Sequence, residues 1–187
     1  IDCLSLRDSL FRELSGVAAP TGIAAVIDIP QAPAELSPGD AVLLDAVQDA
    51  GNVGAILRTV AAAGVRNVLL GPGCAGAWTA RALRGGQGAH FFLAIREQAD
   101  LLAALATGPA TPVATVAHGG TSLYDLDLGG PVFWLVGNEG AGLSAELVAA
   151  AKLRATIPLA AGTESLNVAA AVAVCLFEAN RQRSATR

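Results

Sequence analysis

The sequence predicts an α/β fold built on a mostly parallel sheet with helices on both faces, and three observations predict it. From Ala41 onward, short apolar runs that favour strands alternate with stretches of helical spacing. The connections between them are short, as parallel sheets covered on both faces require. The 187 residues are 53% hydrophobic and only 15% charged, enough for one sizeable core and too apolar for extended disorder.

In order, Ser9 to Leu14 reads as a short amphipathic helix, "GIAAVIDIP" as a strand and "QAPAELSPGD" as a linker. The regular pattern then starts. "AVLLDAV" is a strand, "NVGAILRTVAAAG" a helix stopped by Gly64, and "RNVLLG" a buried strand. A helix near Thr79 to Leu83, a strand "HFFLAI", a helix from about Gln98 to Ala106 and a strand "PVATVA" follow. After a Gly-rich break come the strand "PVFWLVG", the helix "SAELVAAA", the strand "RATIPL" and a long last helix from Ser165 to about Gln182. No fixed-period repeat is evident.

Composition excludes several classes. The longest apolar run, Val168 to Phe177, falls short of the roughly twenty residues that span a bilayer, so a soluble, cytoplasmic protein without a membrane partner is expected. Cys3, Cys74 and Cys175 are odd in number and widely spaced, which suggests neither a disulfide framework nor a zinc site. His90 and His118 have no Cys or carboxylate at ligand spacing, so no metal is expected. The net charge of -4 counts against RNA as a partner, although it says nothing of local patches. All twelve basic side chains except Lys152 are Arg, the better side chain for planar phosphate recognition. The chain opens at Ile1 and contains no Met, so a trimmed part of a longer protein is expected.

In a parallel sheet, ligands bind beyond the carboxyl ends of the strands. That rule selects "QDAGNVGAILRT", "GNEGAGLS" and "AAGTESLN". The first lacks both G-x-G-x-x-G and G-x-x-x-x-G-K-[ST], so it is no nucleotide loop. It leaves Asn52 at a helix start and Arg58 six residues on, either a cap with a surface charge or a functional pair. The second is a Gly-rich turn around Asn138 and Glu139, capped by Ser144; Glu139 is either solvated or the bidentate partner of an Arg. The third puts Ser165 and Asn167 at the open end of the sheet.

Together these segments resemble the SpoU or TrmH branch of the SPOUT superfamily, S-adenosylmethionine-dependent RNA 2'-O-ribose methyltransferases. "DAVQDAGNVGAILRTVAAAGV", "FWLVGNEGAGLS" and "IPLAAGTESLNVAAAVAVCLFEANRQR" match the three family motifs in order, over about Ala41 to Arg183. The resemblance implies catalytic roles for Asn52, Arg58, Glu139, Ser165 and Asn167, and a methyl-donor pocket around Gly137, Ile157 and Leu166, with Thr115 nearby. It further implies a C-terminal trefoil knot, an RNA substrate with ribosomal RNA ahead of transfer RNA, and a homodimer whose site draws on both subunits. Residues 1 to 39 resemble the join to an N-terminal RNA-binding domain similar to a ribosomal protein, with the catalytic domain at 40 to 187. Ala50 stands where the family has Pro, Ala169 where it has Ser, and Gly86 where Ser is frequent. Two other classes compete: a catalytically silent RNA-binding module of the same fold, and a nucleotide-dependent dehydrogenase, which the absent glycine fingerprint disfavours.

Overall fold

The computed structural model describes residues 3–16, 19–33 and 35–185. The chain divides into two compact units, Ile1–Pro30 and Gln31–Arg187. Among its described residues the first contains one helix, α1 (Asp8–Ser15), which ends on Gly16 in the left-handed conformation and buries none of its residues. "GIAAVIDIP" forms no strand: residues 23–30 carry no regular structure and are exposed. The β-branched run has no neighbouring strand, and strand propensity is mainly a matter of fitting a paired, half-buried surface.

The second unit is a sheet of seven strands, β1 (Ala41–Leu44), β2 (Asn67–Leu70), β3 (Ala94–Arg96), β4 (Thr111–Thr115), β5 (Thr121–Ser122), β6 (Val132–Val136) and β7 (Leu153–Thr156), in the order β3-β2-β1-β6-β4-β7-β5. Every pairing is parallel. The helices are α2 (Ala50–Ala62), α3 (Ala80–Gly86), α4 (Leu101–Thr107), α5 (Ala145–Ala150) and α6 (Val168–Ala185). β1 and β6 lie at the centre and are buried at every position, which is why their sequences read as continuous apolar runs.

Side-chain alternation divides the core in two. Val42 and Leu44 of β1, Val68 and Leu70 of β2, and Trp134 and Val136 of β6 pack with Ile56, Leu57 and Val60 of α2 and Val172, Cys175 and Leu176 of α6. Ala41, Leu43, Leu69, Phe133 and Leu135 pack on the other face with Leu101 of α4 and Leu147 of α5. Helices therefore cover both faces, as a period of two in each strand demands.

Three elements depart from expectation. Half of "HFFLAI" is a 3-10 turn, Ala89–Phe92, leaving only Ala94–Arg96 as strand. His90 causes this: its ring is buried and its Nε2 lies 2.8 Å from the Ala77 carbonyl, so the chain must bend inward there. Gly86 accommodates it, since a Cβ at Gly86 would overlap the His90 ring. The short edge strand β5 was not foreseen. The last helix starts at Val168, not Ser165.

The far end of α6 is held firmly. Arg183 donates to both oxygens of Asp40 at 2.7 and 3.0 Å and to the Leu128 and Gly130 carbonyls. Gln182 donates to Leu126 O and accepts from Leu128 N. Arg181 and Gln182 hydrogen-bond to Glu178 and hold its carboxyl down to about 2, with Arg181 the larger influence. Among the described residues no helix is long and apolar enough to cross a membrane.

Candidate active site

The three strand-to-helix junctions converge at the carboxyl ends of β1, β6 and β7. At the first, Asp49 caps α2 by accepting from Asn52 N at 2.8 Å, and its carboxylate is paired with Arg81 at 2.7 Å. Asn52 is therefore not the cap. Its side chain is left available and donates from Nδ2 to Glu139 Oε1 of the second junction at 2.6 Å. Its Oδ1 accepts from Asn167 Nδ2 of the third junction at 3.0 Å.

The direction of this relay follows from chemistry. An ionised carboxylate only accepts, so Asn52 must turn its NH2 group to Glu139 and its oxygen to Asn167. Asn167 must then donate to Asn52 and turn its own oxygen away. That oxygen accepts from Ala169 N at 2.9 Å and Ala170 N at 3.4 Å, which makes Asn167 the N-terminal cap of α6. One acid thus orients two amides and the start of the last helix. Glu139 holds an Asn rather than the Arg that a bidentate pair would need.

Gly54 serves packing. A Cβ there would overlap the Ala82 carbonyl oxygen of α3, so this glycine permits the close crossing of α2 and α3. The close approach of the two helices carries Arg81 to Asp49.

Beside the relay lies a cavity of about 320 Å³, the size of a small-molecule site. Thr115, Gly137, Ile157 and Leu166 all line it, as do Glu139 and Ser165. Thr115 donates its hydroxyl to the Leu135 carbonyl at 2.8 Å, so it shapes the wall. A Cβ at Gly137 would overlap the backbone of Gly142 and Leu143, so the loop can fold back on itself only with glycine there. Ser165 is exposed in the loop ahead of α6 and makes none of the hydrogen bonds among the described residues, unlike the capping residue expected at a helix start. Asn52 and Asn167 do not line the cavity; Asn52 meets Glu139 at its edge, and Asn167 reaches Glu139 only through Asn52.

Arg58 stands apart. It is exposed and outside the cavity, and its side chain makes no ion pair or hydrogen bond among the described residues. Neither Cys74 nor Cys175 lines the cavity, and burial raises both thiols, Cys175 up to about 12.

Asp45 and Asp49 escaped the sequence reading, and Asn138 was noted in its turn without a role. The signal for Asn138 was its place two residues before Gly140, since Asn commonly closes a turn onto the backbone two residues on. Asp49 sits three residues before Asn52 at a helix start, the ordinary spacing of an N-terminal cap.

Residues 40–177 match the SpoU rRNA Methylase family. The chain belongs to that family. It is 35% identical over 180 residues to the 23S rRNA (guanosine(2553)-2'-O)-methyltransferase RlmP of Bacillus subtilis, covering 95% of this chain and 72% of that protein. An uncharacterized tRNA/rRNA methyltransferase of Synechocystis is 37% identical over 145 residues, 76% of this chain and 53% of the relative. The AdoMet-bound rRNA methyltransferase structure from Sinorhizobium meliloti superposes with a TM-score of 0.80 at 29% identity, covering 94% of this chain and 70% of that one. The chain thus spans between about half and three quarters of the length of these relatives.

Proposed function

We propose that this chain is the catalytic part of an S-adenosylmethionine-dependent RNA 2'-O-ribose methyltransferase acting on structured RNA, ribosomal RNA ahead of transfer RNA. The observation that carries the reading is the juxtaposition of a donor-sized cavity with the Glu139, Asn52 and Asn167 relay at its edge. The family and the names of its relatives, several of which act on 23S rRNA, agree with it.

The cavity fits the donor chemically. Its walls combine apolar side chains such as Ile157 and Leu166, suited to an adenine face, with the backbone of Gly137 and its neighbours, suited to polar edges. Bound there, S-adenosylmethionine supplies an electrophilic methyl group for in-line displacement by a ribose oxygen.

This chain's residues position and stabilise. Glu139 fixes Asn52 and Asn167, which orient the ribose at the cavity mouth, while Ser165 presents a free hydroxyl beside the donor. Arginine is too weak an acid to serve as a base, so Arg58 grips the phosphate next to the target and lowers the hydroxyl's pKa electrostatically. The proton leaves to the RNA phosphate or to water. Arg58 lies outside its own chain's cavity, which supports a homodimer in which Arg58 serves the partner's site.

The reading includes the C-terminal knot; the bonds of Gln182 and Arg183 to residues 126–130, which precede β6, support a last helix lodged against that segment. It also includes an RNA-binding domain ahead of residue 40. The net charge of -4 agrees with much of the grip on RNA lying in that domain.

Calorimetric titration with S-adenosylmethionine tests the reading. Saturable binding is expected, weakened at least about tenfold by Leu166→Asp, which places a charge on a partly exposed apolar wall. No binding at millimolar donor contradicts it.

A further inference from the structure

The loop that carries Glu139 is tied to the end of β1 by Asn138, itself part of the cavity wall, and by Asp45. Asn138 closes the loop internally: its Oδ1 accepts from Gly140 N at 2.8 Å and Ala141 N at 3.0 Å, and its backbone exchanges both hydrogen bonds with Gly142. Its Nδ2 reaches the other way and donates to the Ala46 carbonyl at 2.9 Å, 92 residues earlier in the chain. Asp45 adds a second tie, accepting from Ser144 N at 2.8 Å. Asp45 N also bonds to Val136 O.

Ala46 is one of three described non-glycine residues with positive φ, at 53°. An alanine holds that left-handed conformation at a cost, so the surroundings must enforce it. The amide of Asn138 supplies the enforcing contact. The strand end is thus turned so that its carbonyl meets the loop, and Glu139 emerges one residue beyond the pin, 2.6 Å from Asn52.

We infer that Asn138 is a positioning residue for methyl transfer: by pinning the second-motif loop to the left-handed Ala46, it sets the register between Glu139 and Asn52. This rests on the methyltransferase reading above. Asn138 lines the cavity, but its side-chain amide is committed to Gly140, Ala141 and Ala46, so it acts through Glu139, and any residue able to close the loop but not to donate to Ala46 fails in this role.

Asn138→Asp and Asn138→Ser test this in the full-length protein. Both keep an oxygen for the Gly140 and Ala141 amides, so the loop keeps its shape where it lines the cavity. Neither donates to Ala46 as Asn does at neutral pH, since Asp is ionised and Ser is too short. The expected result is a split: donor affinity within about threefold of wild type by calorimetry, and kcat on RNA at least about tenfold lower. Amide exchange supplies a readout independent of activity, with protection at Ser144 falling in both variants and protection at Gly140 and Ala141 kept. Unchanged kcat with unchanged Ser144 protection overturns the inference, and so does a kcat loss that merely follows lost donor affinity. If the wild-type protein transfers no methyl group, the methyltransferase reading fails. Ser144 protection then decides the pin alone: unchanged, it overturns the pin as well, and lowered, it supports the pin.

Discussion

Replacing Asn52 by Asp tests the relay at its centre. The substitution is nearly isosteric, but it removes the NH2 donor and sets a second carboxylate against Glu139, whose Oε1 lies 2.6 Å from Asn52 Nδ2. At a water-like dielectric two charges at that distance repel by about 1.5 kcal/mol, and the exposure of Glu139 keeps the interaction near that end of the range. Losing a hydrogen bond to a charged group adds about 1.5 to 3 kcal/mol. A displaced Glu139 relieves part of this sum, so about 3 kcal/mol remains for the transition state, or about a hundredfold in rate. Donor affinity should stay within about threefold, because Asn52 does not line the cavity. Single-turnover transfer of a labelled methyl group to ribosomal RNA, with donor binding by calorimetry, reads both. An Asn52→Asp enzyme within threefold of wild-type rate refutes the relay. Equal losses in rate and donor affinity refute the separation of relay from cavity.

Four further outcomes follow from the same geometry. Arg58→Lys should lose most of its turnover, since an ammonium cannot make the planar two-pronged phosphate contact; near-normal kcat would show that contact to be irrelevant. Gly54→Ala drives a methyl group into the Ala82 backbone at the crossing of α2 and α3 and should lower stability by about 2 to 4 kcal/mol, measured by denaturant unfolding. Ala46→Gly relieves the positive φ and should raise the melting temperature slightly, by about 0.5 kcal/mol of stability after glycine's entropic cost. Glu178 has a carboxyl held down to about 2, so its stabilising contribution is present above the ordinary carboxylate range and is lost as pH falls from there through about 2. Asn or Gln at 178 should flatten that acid limb in a melting-temperature profile.

The sheet was legible because central parallel strands are buried on both faces and leave unbroken apolar runs, as in "AVLL" and "VFWLV". Where burial did not follow composition, the reading failed. "GIAAVIDIP" has strand composition and no strand to pair with, and "HFFLAI" bends because the buried ring of His90 reaches the Ala77 carbonyl. The site was legible as three junctions, since ligands gather at strand carboxyl ends. Their service of one site followed only from the family resemblance, and their contacts were not legible. That Asn52 meets Glu139 and Asn167, across 87 and 115 residues, depends on strand order, which no local pattern encodes. The start of α6 shows the same limit on a small scale: both Ser165 and Asn167 are good caps by type, and only the turn of Asn167's oxygen away from Asn52 decides between them.

The most direct measurement is the identity of the product. RNA incubated with the full-length protein and S-adenosylmethionine, digested to nucleosides, resolved by chromatography and fragmented in a mass spectrometer, should contain a new nucleoside whose methyl group stays with the ribose, absent with Asn52→Asp. A methyl group on a base, or no transfer to any structured RNA despite donor binding, would contradict the account.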